Sequence, residues 1–261
     1  MKLSGLWVAA CALVGCSGEF NAVHEPPAVG GPPVMRRLTE SEYRATVTDI
    51  FGTDVKIAAR FEPGLRAEGL IAVGTGQAGV SAFSIEQYHA AALSISADVV
   101  SEPRREKYVP CNPRSDPSSF NADCAQAFFQ RLGPLLLRRP VTVTDTRRFV
   151  ESARSATGRL GDFYGGLQLA LAGTLVSPEF LLRVETTEPD PRHTGRLRLD
   201  PWSKATRLSY FLTNSAPDAE LLRAAGAGEL DERRTLAHQV DRLIASPHFE
   251  RTVRADRKSV V

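Results

Sequence analysis

The sequence has little of several residue types on which well-known functional sites depend. Its 261 residues include four cysteines, two tryptophans, two methionines and five histidines. Lysine and arginine together number 32 and aspartate and glutamate 30, which leaves a formal net charge of +2. Because this excess is only two charges, we expect no nucleic-acid partner. The hydrophobic fraction of 43% and the charged fraction of 24% are ordinary for a globular protein.

Motifs for metals, phosphates and nucleophilic catalysis are also missing. The glycine-rich stretch Gly74–Gly79 follows no clear strand and opens no helix, so we do not interpret it as a dinucleotide site. Ser209 has no visible partner base for a nucleophilic role. None of the histidines has zinc-site spacing: they are His24, His89, His193, His238 and His248. We therefore expect no metal and no cofactor. Whether the chain is an enzyme stays open, and a non-enzymatic role is favoured.

No hydrophobic run reaches the length of about 20 residues that a membrane span needs. The apolar stretch Leu3–Val14 is short, follows Lys2 and leads into Gly15-Cys16. This order is typical of a bacterial lipobox. We interpret residues 1–15 as a lipoprotein signal peptide and Cys16 as the residue that carries the lipid. The alternative is an ordinary signal peptide.

The residues that follow the proposed lipid site favour an extended tether. Residues 16–35 are rich in glycine, proline and alanine, a composition that gives a flexible segment with little reason to fold. Ser17, rather than aspartate, follows Cys16. We therefore expect attachment to the membrane through the N-terminal lipid, in the cell envelope and at the outer membrane of a Gram-negative bacterium.

Two cysteines remain for the folded part of the chain. Cys11 lies in the signal peptide and Cys16 is the lipid site, which leaves Cys111 and Cys124. An even pair in an oxidising compartment is expected to form a disulfide. Closing a loop of this length stabilises a fold by about 3 kcal/mol in a chain-entropy treatment. Two free thiols or half of a metal site are the alternatives.

Helical periodicity dominates the rest, so we predict an all-α fold, an irregular multi-helix bundle behind a disordered lipoprotein tether. Thr39 and Glu42 form a capping box before a helix that ends at Gly52, and 53–83 is expected to be mostly loop. Further helices are predicted over Ser84–Val100, 143–156 and 160–176. Another begins at Asn121 and should break or kink at Gly133-Pro134. Shorter helices are predicted to begin at Ser177, Asp200, Pro217, Asp231 and Ser246. Leu197–Leu199 has the pattern of a short strand without an evident partner.

Four charged residues stand out as candidates for a polar site. Arg138 and Arg139 could bind an anion, or they could offset a helix dipole and pair with acids. Arg207 lies within an apolar helix and Asp218 near the next helix start. These two could form a buried pair or polar pocket, or Asp218 could cap its helix while Arg207 bridges two helices.

Four stretches, Arg37–Gly52, Cys124–Thr142, Ser177–Glu185 and Ala205–Leu222, together resemble a family of large secreted proteins abundant in planctomycetes and myxobacteria. The resemblance is to a domain of unknown function of the 1592 type, preceded by domains of the 1587 and 1595 types. It implies three helical domains, at 36–110, at 111–157 with the Cys111–Cys124 disulfide, and at 158–255, the last of them truncated. Residues 256–261 resemble a translated sequencing adapter, and we interpret them as an artefact.

The resemblance implies a cell-envelope protein and does not supply a catalytic site. We therefore expect a lipid-anchored binding or scaffold module of an envelope complex, with an envelope protein as its partner. One alternative is a redox accessory that works beside a separate c-type cytochrome, because many relatives carry or neighbour a Cys-x-x-Cys-His module that this chain lacks. The other is an enzyme that acts on extracellular polymers, with part of its site in missing domains.

Overall fold

A computed structural model of the chain describes residues 35–62, 64, 81–111 and 118–259. The predicted all-α class is confirmed, because helices dominate and only small two-stranded sheets accompany them. The helices of these ranges are α1 (Glu40–Phe51), α2 (Ala82–Val100), α3 (Glu102–Tyr108), α4 (Ala122–Leu137), α5 (Val143–Leu160), α6 (Phe163–Leu175), α7 (Pro178–Leu181), α8 (Pro201–Thr213), α9 (Ala219–Gly226), α10 (Arg233–Ile244) and α11 (Phe249–Ser259). The predicted signal peptide, Cys16 and nearly all of the tether lie outside the described residues.

Several helix starts follow directly from the capping residues in the sequence. The predicted capping box at α1 is present, with Thr39 and Glu42 satisfying each other's backbone N–H groups. Thr142 and Asp145 form a second box at α5. The other predicted caps that the structure confirms are Asn121, Ser177, Asp200 and Asp218.

Of the break or kink predicted at Gly133-Pro134, the break is wrong, because α4 continues to Leu137. Pro134 removes one backbone donor, but the helix is held by its buried face, which includes Leu132 and Leu136. Gly133 permits close packing at this point, since a Cβ there would lie 2.5 Å from the Cγ1 atom of Val141. Tertiary contacts therefore outweigh the local helix-breaking signal.

Other helix boundaries also differ from the predictions. The second helix begins after Ser81, whose hydroxyl caps it, and not at Ser84. The helix predicted over 143–156 runs on to Leu160, where Gly161 ends α5 at a φ of 63°, and the helix predicted over 160–176 begins only after its cap, Asp162. Asp231 does not cap α10, which begins after Glu232 without a side-chain cap. The carboxylate of Asp231 is instead paired with basic side chains.

Two small antiparallel sheets complete the architecture. β1 (Met35–Arg37) pairs with β2 (Leu182–Val184), so the start of the described fold lies beside the end of α7. β3 (Thr187–Pro189) pairs with β4 (Leu197–Leu199). The expectation that Leu197–Leu199 lacks a partner is therefore wrong. Its partner is a polar segment that ends in proline, a composition that does not favour strand.

The main hydrophobic core runs through α1, α2, α4, α5, α6 and α7, and Tyr210 of α8 belongs to it. A second, smaller cluster lies among α8, α9 and α10. The predicted disulfide is confirmed: Cys111 and Cys124 are bonded, with Cα atoms 5.7 Å apart. No helix in the described ranges is both long and apolar enough to span a bilayer. The predicted domain boundaries stay predictions.

Candidate functional site

Glu42 has a second role besides closing the capping box of α1. Its Oε2 atom accepts a hydrogen bond from the backbone N–H of Thr39 at 2.8 Å. Its Oε1 atom lies 3.3 Å from Nη1 of Arg183, and both side chains are largely buried. A buried carboxylate and guanidinium tolerate the loss of water because each offsets the charge of the other. Glu42 therefore joins α1 to β2.

Arg183 continues this contact to α8. Its guanidinium carbon lies 4.8 Å from the ring centroid of Tyr210, a cation–π arrangement. The Tyr210 hydroxyl is 3.1 Å from the Thr46 hydroxyl, which also accepts a hydrogen bond from the backbone N–H of Ala216 at 3.2 Å. Burial raises the pKa of Tyr210, partly opposed by the charge of Arg138. The phenol is thus neutral and serves as a fixed hydrogen-bonding group.

Arg138 is a buried backbone clamp, because its guanidinium contacts carbonyl groups of the chain itself. It follows α4 in the left-handed conformation, with a φ of 56°, and its side chain is almost fully buried. The guanidinium donates hydrogen bonds to the carbonyl oxygens of Glu179 at 2.6 Å, Phe180 at 3.0 Å and Leu182 at 2.8 Å. We call Glu42, Thr46, Arg138, Arg183 and Tyr210 the junction cluster.

Arg139 has a different environment from its neighbour. Its guanidinium binds both carboxylate oxygens of Asp145, at 2.7 and 3.3 Å. Asp145 also accepts hydrogen bonds from the backbone N–H and hydroxyl of Thr142. The bond from Arg139, followed by those from Thr142, holds the pKa of Asp145 well below its usual range. Of the two arginines, it is thus Arg139 that pairs with an acid.

Arg207 and Asp218 have separate partners in the structure. Arg207 binds Glu185, with atoms 2.5 and 2.8 Å apart, and is more than half exposed. Asp218 caps α9 through the N–H of Leu221 and binds Arg242 at 2.6 and 3.0 Å. The structure does not bring these two predicted residues together in a pocket.

Ion pairs also fix the surface around α8, α9 and α10. Asp231 binds Arg198 at 2.9 Å and pairs with Lys204. Arg223 binds Glu220 at 2.8 Å and Glu229 at 2.7 Å. The hydrogen bonds from Arg223 lower the pKa of Glu220 to about 2. These groups satisfy one another and so act as surface clamps between turns of the chain.

A shallow cavity of about 520 Å³ lies next to the disulfide, lined by Glu102, Arg105, Glu106, Cys111 and Tyr164 among others. The guanidinium of Arg105 stacks over the ring of Tyr164 there, at 4.2 Å. Among the residues that the structure describes, no group of three or more His, Cys, Asp or Glu side chains could hold a metal ion.

Comparison with known families places three domains along the chain. Residues 36–101 match the family PSD3, described as a protein of unknown function (DUF1587). Residues 124–185 match the family PSD5, described as a protein of unknown function (DUF1595). Residues 199–257 match the family PSD4, described as a protein of unknown function (DUF1592). Matches to these three families therefore follow one another along the chain in the order DUF1587, DUF1595, DUF1592. No curated protein and no solved structure matches it.

The junction cluster takes residues from all three domains. Glu42 and Thr46 lie in the DUF1587 segment, Arg138 and Arg183 in the DUF1595 segment, and Tyr210 in the DUF1592 segment. Sequence reasoning identified Arg138 and one role of Glu42 but missed the other members. The available signal was Thr46, a polar residue one turn from Tyr43 and Ile50 on an otherwise apolar helix face.

Proposed function

We propose that the chain is an exported, lipid-anchored protein of the cell envelope that acts as a binding or scaffold module. The observation that carries the location is the Cys111–Cys124 disulfide. Structural disulfides persist in oxidising compartments and are rare in the cytosol. An exported location agrees with the lipobox at Cys16 and with the Gly/Pro-rich residues that follow it.

The arrangement of polar groups supports a scaffold. The junction cluster and the surface clamps use their charges to hold helices in place, which gives a stiff platform. Phe211 on α8 is 73% exposed, and Arg207, one helical turn earlier, is also exposed. Phenylalanine and arginine are residue types that interfaces favour. A partner that covers this pair would be another protein of the envelope. Nothing in the described ranges favours the redox or the enzymatic alternative.

The anchor is tested by the variant Cys16→Ser, with Cys11→Ser as the matched control. Cells are fed a labelled fatty acid, and membranes are separated from the soluble envelope fraction. We expect label and membrane association for the wild type and the control, and release of Cys16→Ser into the soluble fraction. Because Ser17 follows the lipid site, density separation should place the wild type in the outer membrane. A membrane-bound Cys16→Ser variant together with an unlabelled wild type would end the proposal.

A further inference from the structure

The outward face of α5 carries a concentration of positive charge. All of α5 is described, and it exposes four arginines and one glutamate: Arg147, Arg148, Arg154, Arg159 and Glu151. Residues seven and eleven apart lie close to the same side of a helix. Arg147 and Arg154 therefore form one row, and Arg148 and Arg159 form another. The face offers a net positive surface about 18 Å long from Arg147 to Arg159, at 1.5 Å per residue.

Three small side chains and one carboxylate lie between the two rows. They are Thr144, Ser155, Gly158 and Glu151, all of them exposed, and four arginines against one glutamate leave the face net positive. A Cβ atom at Gly158 would meet nothing within 4 Å, so no other element of the described structure covers the helix at this residue. The helix ends carry exposed apolar side chains, Val143 at 84% and Leu160 at 53%. A broad, flat partner could therefore contact both rows of arginines at once.

Few of these charges are neutralised within the described part of the chain. Arg148 lies 3.3 Å from Glu179 and is 68% exposed, a geometry in which water screens the pair. The guanidinium of Arg154 stacks 4.5 Å from the ring centroid of Phe120, which keeps its charge available. The structure shows no ion pair for Arg147 or Arg159 among the residues it describes.

The basic face of α5 is connected to the place where the described fold begins. Through Glu179, Arg148 contacts α7, and α7 leads directly into β2. The last residue of β2, Val184, is paired with Met35, where the described fold begins. Both of these side chains are apolar and more than half exposed. The basic face therefore borders the end of the fold from which the chain continues towards Cys16.

We propose that the outer face of α5 binds the anionic headgroup surface of a phospholipid membrane, an inference that rests on the proposed lipid anchor. Guanidinium groups bind phosphate oxygens through paired hydrogen bonds, and the two rows match a surface with many phosphates. A basic patch adds electrostatic attraction to anionic lipids to the membrane affinity that a covalent lipid provides. The α5 face supplies this electrostatic contact and fixes which side of the protein faces the bilayer.

The test uses the full chain with Cys16→Ser, so that binding does not depend on the lipid. Flotation is measured with phosphatidylcholine vesicles and with vesicles that also contain phosphatidylglycerol. We expect binding to the anionic vesicles alone, weakened at high salt because exposed charges are then screened. Adding Arg147→Gln and Arg159→Gln should lower partitioning by on the order of tenfold or more, from the usual contribution of a basic residue near an anionic surface. The matched control is Arg233→Gln with Arg234→Gln, an exposed pair on α10.

The control should change partitioning less than about twofold, since that pair is on another helix. Equal binding to both vesicle types, or equal effects of the α5 and α10 variants, would overturn the proposal. Binding of a soluble polyanion by the α5 face without any vesicle binding would also overturn it. Failure of the anchor is detected separately, as absence of fatty-acid label on the wild type, because the vesicle assay contains no lipidated protein.

Discussion

Replacing Arg138 with methionine should destabilise the protein strongly. The change keeps most of the aliphatic volume but removes the guanidinium, which donates to the carbonyl oxygens of Glu179, Phe180 and Leu182 at 2.6, 3.0 and 2.8 Å. These carbonyls end α7 and begin β2, where water has little access because Arg138 is only 4% exposed. The variant would leave all three carbonyls without their donor.

The magnitude follows from two opposing contributions. Each hydrogen bond from a charged donor contributes about 1.5–3 kcal/mol, and an unsatisfied buried acceptor costs about 1–3 kcal/mol. Removing the guanidinium also removes the cost of keeping a charge out of water, several kcal/mol per buried ion. Three such bonds amount to about 4.5–9 kcal/mol, and the several kcal/mol regained from desolvation leave a net loss in the free energy of unfolding of about 3–5 kcal/mol. A folded domain has about 5–15 kcal/mol in total, so the effect is easily measured.

The assay is urea unfolding followed by circular dichroism, with Arg139→Met as the matched control. Arg139 is the next residue and makes an ion pair that is partly exposed, so its loss should cost at most about 1 kcal/mol. Arg138→Lys should fall between the two, since a lysine keeps the charge but cannot reach three carbonyls in one plane. A loss for Arg138→Met no larger than that for Arg139→Met would refute the clamp.

Two further predictions concern local restraints. Asp145→Asn should lower the free energy of unfolding at pH 7 by about 1–2 kcal/mol, as for other lost caps. Because the folded pKa of Asp145 is depressed, its stabilisation is present above about pH 4 and is lost as the pH falls below this. Urea unfolding at pH 7 and pH 3 should therefore show a smaller acid-induced loss for the variant than for the wild type, and equal losses would contradict this. Cys111→Ser should cost about 3 kcal/mol, and so should reduction of the wild type. Two thiols that react with an alkylating agent in the native, unreduced protein would argue against the disulfide.

Local signals in the sequence predicted most of the helices. A cap such as Thr39 or Asp200 acts on backbone N–H groups within three residues, so the sequence alone contains the whole interaction. Gly133-Pro134 was misleading for the opposite reason. The packing of Gly133 against Val141 depends on how the chain returns after α4, and that contact decides whether the helix continues.

Pairing between distant segments could not be predicted. β1 and β2 are three-residue strands, too short for a pattern of alternation, and their pairing joins Met35 to Val184 across much of the chain. The same limit applies to the candidate site. Arg138 was singled out as a charged residue at a helix end, but its partners are backbone carbonyls, which every residue has. No sequence pattern distinguishes the carbonyls that a buried guanidinium will find.

The junction cluster gives a physical reason for three domains to occur together. Thr46 and Tyr210 are 164 residues apart in sequence, yet their hydroxyls are 3.1 Å apart in a buried site. Glu42 of the first segment has its buried cationic partner, Arg183, in the second. A segment on its own would retain half of such a pair, and an unpaired buried charge is strongly destabilising. The segments that match DUF1587, DUF1595 and DUF1592 therefore each contribute polar side chains that have their buried partners in another segment.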